Sequence, residues 1–220
     1  MPEPVSKYDQ KLVYVLKTSA TIFAEKGYHS TSIRDIARAT KMSLAGLYYY
    51  FSSKEELLFL IQDYCFGTVL DDCRRQLAGV DDPVRRLKIL IENHLNYFVH
   101  NMNEMKVLSH EANSIGGDLF KKVNSRKRQY VDIVMNLLNE IAVEHKVEGV
   151  DLRVATFLLF GMMNWIYNWY NPRKDLDVTA LSQNITRLFL SGLLGDRSLA
   201  AEGLETGRES HLDRMVSVWE

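Results

Sequence analysis

The segment that most constrains this chain is Thr31 to Lys54, TSIRDIARATKMSLAGLYYYFSSK. It reads as two short helices joined by a tight corner. Ser32 is placed to cap the first helix, and Ile33, Ile36 and Ala37 give it one apolar face. Thr40, Lys41 and Met42 form the corner, and Ser43 is placed to cap the second helix. Leu44, Leu47 and Phe51 recur at helical spacing and are expected to face inward, with Ala45, Gly46, Tyr48 and Tyr49 turned partly outward. A helix-turn-helix needs a supporting helix, a sharp corner, and a second helix small enough at its N-terminus to enter a major groove. Ala45 and Gly46 supply that smallness. Helix N-termini and hydroxyls would then point at phosphates.

Charge agrees with this placement only when the chain is divided. Over all 220 residues the formal charge is −1, which by itself suggests no nucleic-acid partner. Residues 1–54 carry eight Lys/Arg against four Asp/Glu, a net of +4, and the remainder holds 19 against 24, a net of −5. The positive field therefore belongs to the helix-turn-helix end. An apolar fraction of 46% suffices for a core. Cys65 and Cys73 fall on one expected helix, roughly 12 Å apart at about 1.5 Å rise per residue, too far for a disulfide. With no signal peptide apparent, they read as buried thiols in a reducing cytoplasm. Val154 to Pro172 is uncharged and close to spanning length, but Asn164, Asn168, Asn171 and the closing proline read as a buried helix of a soluble protein, with no membrane partner.

Taken in order, the chain is all helix and loop. After a loose arm over Met1 to Ser6, a first helix is expected from Lys7 to Lys26, stopped by Gly27. Beyond the helix-turn-helix, Ser53 caps a long helix from Lys54 to about Leu77, the natural mechanical link to the C-terminal domain. Further helices are expected from Asp81-Asp82-Pro83 to His100, from Glu104 to Ala112, from Asp118 to His145, from Asp151 to Asn171, and from Val178 to Leu194. The residue before Pro172 is disfavoured in a helix, which sets the end of the stretch that starts at Asp151. Leu212, Met215, Val216 and Trp219 form a last helical stripe in the tail. The division expected is 1–54 for DNA binding, 55–195 for a helical ligand-binding and dimerisation domain, and 196–220 for the tail.

Val15 to Leu58 resembles the N-terminal domain of the tetracycline-repressor (TetR) family of bacterial transcription regulators. The likeness is carried by Phe23-Ala24-Glu25-Lys26-Gly27-Tyr28, by Thr31 with Ile33-Arg34-Asp35-Ile36-Ala37, by Gly46-Leu47-Tyr48-Tyr49-Tyr50-Phe51, and by Lys54-Glu55-Glu56-Leu57-Leu58. The resemblance implies double-stranded operator DNA as partner. Tyr48, Tyr49, Tyr50 and Lys54 match positions that contact phosphates or groove walls. Thr31, Ser32 and Ser43 lie at helix starts near phosphates, and Arg34, Leu44, Ala45 and Gly46 match positions that reach bases. One departure is Lys41, where the family usually has glycine; left-handed backbone there costs a non-glycine residue about 1 kcal/mol.

The C-terminal part carries no catalytic grammar: no phosphate loop, no HExxH, no Gly-x-Ser-x-Gly elbow. His94, His100 and His110 match no common helical face, so surface or core histidines are the simpler reading than a metal site. No cofactor is expected. Phe157 to Pro172 is bulky and carries no charge, so all its faces must be covered, by a ligand or a second subunit. In the TetR family the last two core helices pair with those of a second copy, which implies a homodimer interface here. Phe157, Gly161 and Trp169 would contribute from one helix, and Leu181, Ile185, Leu188, Phe189 and Gly192 from the other. The glycines leave room for close contact.

This half also resembles, more loosely, the acyl-CoA-responsive (FadR-type) branch, through Arg128-Gln129-Tyr130, the Gly161 to Pro172 run, and Leu188 with Ser191-Gly192-Leu193. The likeness implies a hydrophobic effector with its chain among Phe98, Met102, Met105, Tyr130 and Val134, and Phe160, Met163 and Trp165 beyond them. Arg126, Lys127 and Arg128 would meet its nucleotide end; the plainer reading of that basic run is a solvated face. Asn164 either orients the ligand or is a satisfied core amide. The expected function is a homodimeric repressor released by such an effector. Its alternatives are a drug-like or aromatic inducer, an all-α enzyme, and a protein-interaction module.

Overall fold

Short polar side chains start the helices. In the computed structural model, which describes residues 6–111 and 114–195, Ser6 accepts from the Asp9 amide at 3.1 Å, Ser32 from Asp35 at 3.2 Å and Ser43 from Gly46 at 3.0 Å. Ser53, Asp82, Asp151 and Asp177 do the same further along. Each such cap satisfies an amide with no partner inside its helix and contributes about 0.5–2 kcal/mol. The helices that result are α1 (Lys7–Lys26), α2 (Ile33–Thr40), α3 (Leu44–Tyr48), α4 (Lys54–Leu77), α5 (Pro83–His100), α6 (Met102–His110), α7 (Gly117–His145), α8 (Leu152–Asn164) and α9 (Val178–Leu194). A 3-10 turn, Trp165–Asn168, follows α8. No strand occurs among the described residues, so the fold is all-α.

Two elements differ from expectation. The break before α6 is Asn101 alone, whose carbonyl already accepts the Met105 amide at 3.0 Å, so α6 begins two residues early. The α8 helix stops at Asn164 rather than Asn171, because the backbone tightens into 3-10 geometry at Trp165. No helix among the described residues is long and apolar enough to cross a membrane. Residues 1–5 of the expected arm, Ala112, and the Leu212–Trp219 stripe lie outside the described residues.

The chain divides into two compact units. The first runs to Thr68 and includes Asn101–Arg126. Its core joins Val15, Leu16, Ala20 and Phe23 of α1 to Ile36, Leu47, Phe51, Leu57, Leu58 and Ile61, all buried. Asn103 of α6 donates to Thr21 of α1 at 3.2 Å, and Glu55 of α4 accepts the Gly116 amide at 2.8 Å. This unit thus continues past Lys54: α6 packs on α1, and the residue before α7 is bonded to the first turn of α4. The second unit comprises Val69–His100 and the described residues from Lys127 onward. In it α5 packs against α8 and α9, with Leu87, Leu90, Ile91 and Leu95 fully buried.

Candidate functional site

The helix-turn-helix forms as its residues dictate. Ser32 and Asp35 make a reciprocal capping box, the Asp35 carboxylate accepting the Ser32 amide at 2.9 Å. The bonds from the Ser32 hydroxyl and amide hold the Asp35 carboxyl below the usual carboxylate range. Arg38 is drawn onto the same carboxylate at 2.6 Å, whereas Arg34 is exposed and has no partner among the described residues. The corner residue Lys41 takes φ 55°, ψ 37°, the left-handed conformation its position demands. An open groove beside it is lined by Arg34, Ala37, Arg38, Lys41, Met42 and Leu44.

The α3 surface carries Leu44, Ala45, Tyr48 and Tyr49 outward, Tyr49 being 72% exposed. Leu44 thus departs from the inward stripe: at the first turn of a five-residue helix it projects past the corner, while Leu47 and Phe51 are buried. Gly46 is constrained from within its own helix. A Cβ there would come 3.2 Å from Ser43 Oγ, the atom that caps the Gly46 amide. Tyr50 is half-buried, and its ring stacks on Tyr8 of α1 with centroids 5.0 Å apart.

Two residues expected at phosphates point elsewhere. Thr31 is 1% exposed, and its hydroxyl donates to the Gly27 carbonyl at 2.8 Å. Lys54 turns its ammonium into the α1–α2 connection, donating to the carbonyls of Tyr28 and Thr31 at 3.1 Å each and of His29 at 3.4 Å. The same nitrogen lies 4.5 Å from the centroid of the Tyr28 ring. An ammonium has three protons to donate, and here three carbonyls take them. Both residues brace the head rather than face its outer surface. The residue pattern cannot distinguish these roles, because a hydroxyl or ammonium at a loop reaches backbone oxygens and phosphates equally well.

The second unit has an aromatic interior. Phe98, Tyr130, Val134, Phe160 and Met163 are all buried in it. At its centre is His94, a core histidine of α5. Its Nε2 lies 3.0 Å from Asn164 Oδ1, and its Nδ1 lies 3.1 Å from the Tyr130 hydroxyl. An amide oxygen only accepts, so Nε2 donates to it, and Nδ1 accepts the phenol proton. His94 also stacks on Phe98 at 4.1 Å and lies 6.1 Å from the Phe160 ring. Burial lowers its pKa to about 3, against a weaker upward pull from Asn164, so the imidazole is neutral. A lone polar residue in an apolar stripe was the one signal that marked it.

Other expected ligand residues are placed differently. Met102 and Met105 lie on α6, in the first unit. Trp165 opens the 3-10 turn and is 62% exposed, so it does not line the interior. Arg126 forms a two-pronged ion pair with Asp63 of α4, and its guanidinium packs 3.2 Å from where a Cβ on Gly67 would be. That pairing removes Arg126 from the set of open cations. Lys127 is half-buried, with its pKa lowered by desolvation, and Arg128 is exposed. Cys65 and Cys73 are buried and form no disulfide, and burial pushes the Cys73 thiol up to about 11.

An apolar face of the second unit is left open to solvent. Val154, Phe157, Leu158, Trp165 and Trp169 project from α8 and the turn after it, and Leu188 from α9. Gly161 and Gly192 are exposed, and a Cβ on either would meet nothing within 4 Å. Leu181, Ile185 and Phe189 do not belong to this face. They lie on the adjoining side of α9 and are buried within their own chain, where α9 packs against α5.

Comparison with known proteins accounts for both halves. Residues 15–61 match the bacterial regulatory proteins of the tetR family, and residues 80–193 match the tetracyclin repressor-like C-terminal domain. The fatty acid metabolism regulator protein of Bacillus subtilis (strain 168) is 23% identical over 185 residues, spanning 83% of this chain and 95% of the relative. The structure of AibR in complex with isovaleryl coenzyme A and operator DNA aligns with a TM-score of 0.73 at 26% identity, covering 81% of this chain and 97% of AibR. FadR from Bacillus subtilis, solved with stearoyl-CoA, shares the fold at a TM-score of 0.67 and 23% identity, over 82% of this chain and 98% of FadR. These relatives are regulators, not enzymes. With its helix-turn-helix head and its C-terminal helices both matched, the chain belongs to the TetR family of bacterial transcriptional regulators.

Proposed function

We propose that this TetR-family repressor works in the cytoplasm as a homodimer that leaves its operator when an acyl-CoA thioester enters the second unit. The observation that carries the reading is the buried wall of Phe98, Tyr130, Val134, Phe160 and Met163, a span of apolar and aromatic groups with one polar chain through it. Relatives whose names and structures carry fatty acid metabolism or acyl-CoA ligands support it. Lys127 and Arg128 are the cations assigned to the nucleotide end, Arg126 being paired with Asp63. The α4 helix is continuous from Lys54 to Leu77, so a displacement of its C-terminal half reaches the head. Two heads that read half-sites about 34–36 Å apart lose affinity when that spacing changes, and such coupling is typically worth about 1–3 kcal/mol.

Calorimetry with acyl-CoAs of increasing length, beside the matching free acids, tests this. Each buried methylene contributes about 0.8 kcal/mol, so affinity should climb with length and level off as the interior fills. Neutralising Lys127 and Arg128 together should weaken the thioesters and leave the acids unchanged. Equal affinity for acid and thioester, insensitive to that double change, would assign the site to a hydrophobic drug-like or aromatic inducer instead.

A further inference from the structure

The recognition helix is too short to hold itself. At five residues α3 is well under two turns, far below the length at which a helix is stable in water. Its N-terminus is fixed by the Ser43 cap and its inner side by the buried Leu47. Its C-terminal end runs into Tyr49 and Tyr50, where no side chain caps the backbone. An aromatic cluster closes that end. The Tyr8 ring stacks on Tyr50 at 5.0 Å with 28° between planes, and meets Tyr49 edge-on at 5.7 Å and 77°. Tyr49 and Tyr50 are themselves perpendicular at 5.3 Å. Stacked and edge-to-face geometries at these separations are the favoured aromatic arrangements. Tyr8 is in turn held by the first turn of α1, which the Ser6 cap stabilises.

We propose that Tyr8 is a positioning residue for DNA recognition, its ring clamping the exit of α3 so that Ala45 and Tyr48 are presented in one orientation. The contacts are of the ring, so the aromatic face of residue 8 matters and its hydroxyl does not. A residue over thirty positions before the reading helix thereby sets how sharply that helix discriminates. The effect should fall on selective binding, because phosphate attraction tolerates small displacements and base contacts do not.

The test uses the full-length protein and a duplex recovered by wild-type selection from a random pool, with an unselected duplex as control at the same salt. Tyr8→Phe should keep both affinities within about twofold. Tyr8→Ala should lose about tenfold on the selected duplex and little on the control. Without DNA, it should also speed hydrogen exchange across residues 44–51 while α4 amides stay as in wild type. Tyr8→Leu, which keeps bulk but has no ring, guards against a misfolded alanine variant and carries the same expectation. Equal losses on both duplexes in Tyr8→Phe and Tyr8→Ala would make Tyr8 a hydroxyl contact to phosphate and overturn the proposal. So would unchanged exchange at residues 44–51, or uniformly faster exchange across α1 and α4 in both Tyr8→Ala and Tyr8→Leu.

Discussion

The two units of this chain are ordered by different forces. In the first, side chains are pinned to backbone by short directional bonds: Thr31 to Gly27, Thr40 to Ile36 at 2.8 Å, the Ser32–Asp35 box, and Lys54 to three carbonyls. In the second, rings and aliphatic chains fill the interior, with polar chains through His94 and through Asn93 crossing it. Hydrogen bonds weaken steeply with misalignment, whereas dispersion contacts re-form after small shifts. A head that must tell one base edge from another needs the first kind of order. A chamber that must accept a flexible chain is better served by the second.

Neighbouring residues on α9 should break the comparison most severely. Phe189 is 9% exposed and Leu188 is 67% exposed. Phe189→Arg buries an unpaired charge in the second unit, a cost of several kcal/mol, and should leave the protein unfolded or insoluble. Leu188→Arg should keep its helical circular dichroism yet sediment as a monomer. A Leu188→Arg protein that remains dimeric would remove the open α8–α9 face from the proposed interface.

The polar chain through His94 gives a smaller, pH-dependent effect confined to the second unit. His94 is neutral when folded, with its pKa lowered to about 3, and takes up a proton near 6.5 when unfolded. In that window the unfolded state binds more protons, so stability is complete above the unfolded value and falls as pH drops toward 3. Between pH 7 and 5 the loss from this group should be about 2 kcal/mol. Urea titrations at both pH values should show a shallower dependence in His94→Phe than in wild type. Matching slopes would mean the imidazole is not held neutral by burial.

The smallest effect returns to the head. Lys41→Gly relieves left-handed strain at the corner and should raise stability by up to about 1 kcal/mol, less the entropy that glycine adds to the unfolded chain. A rise of a few degrees in thermal midpoint, with DNA affinity unchanged, is expected. A fall would mean that the Lys41 side chain contributes more than its backbone costs.

The left-handed backbone at Lys41 was legible through the family resemblance, which puts a glycine at that corner. Legible in the residues themselves were the spans of α1, which Gly27 stops, of α4, which Ser53 caps, and of α9. The end of α8 was not. The first breaker in sequence is Pro172, and the tightening at Trp165 has no local residue to announce it. Direction was the other blind spot. Helical spacing places Leu181, Leu188 and Phe189 on α9, but which stripe turns inward depends on how α5 packs against it. Arg126 likewise reads as an open cation until Asp63, 63 positions earlier, folds onto it.

The seat of Lys54 has a consequence for how the head assembles. Its ammonium reaches carbonyls 23 to 26 positions earlier, so the bonds close a loop of about that length. Closing some 25 residues costs roughly (3/2)RT ln n, or about 3 kcal/mol, before any bond repays it. The first three helices and the opening turn of α4 should therefore fold in one cooperative step rather than helix by helix. The reading head is not a detachable cassette: a chain cut before Lys54 leaves its α1–α2 corner unclosed, and any transplant of this head onto another protein must carry the start of α4 with it.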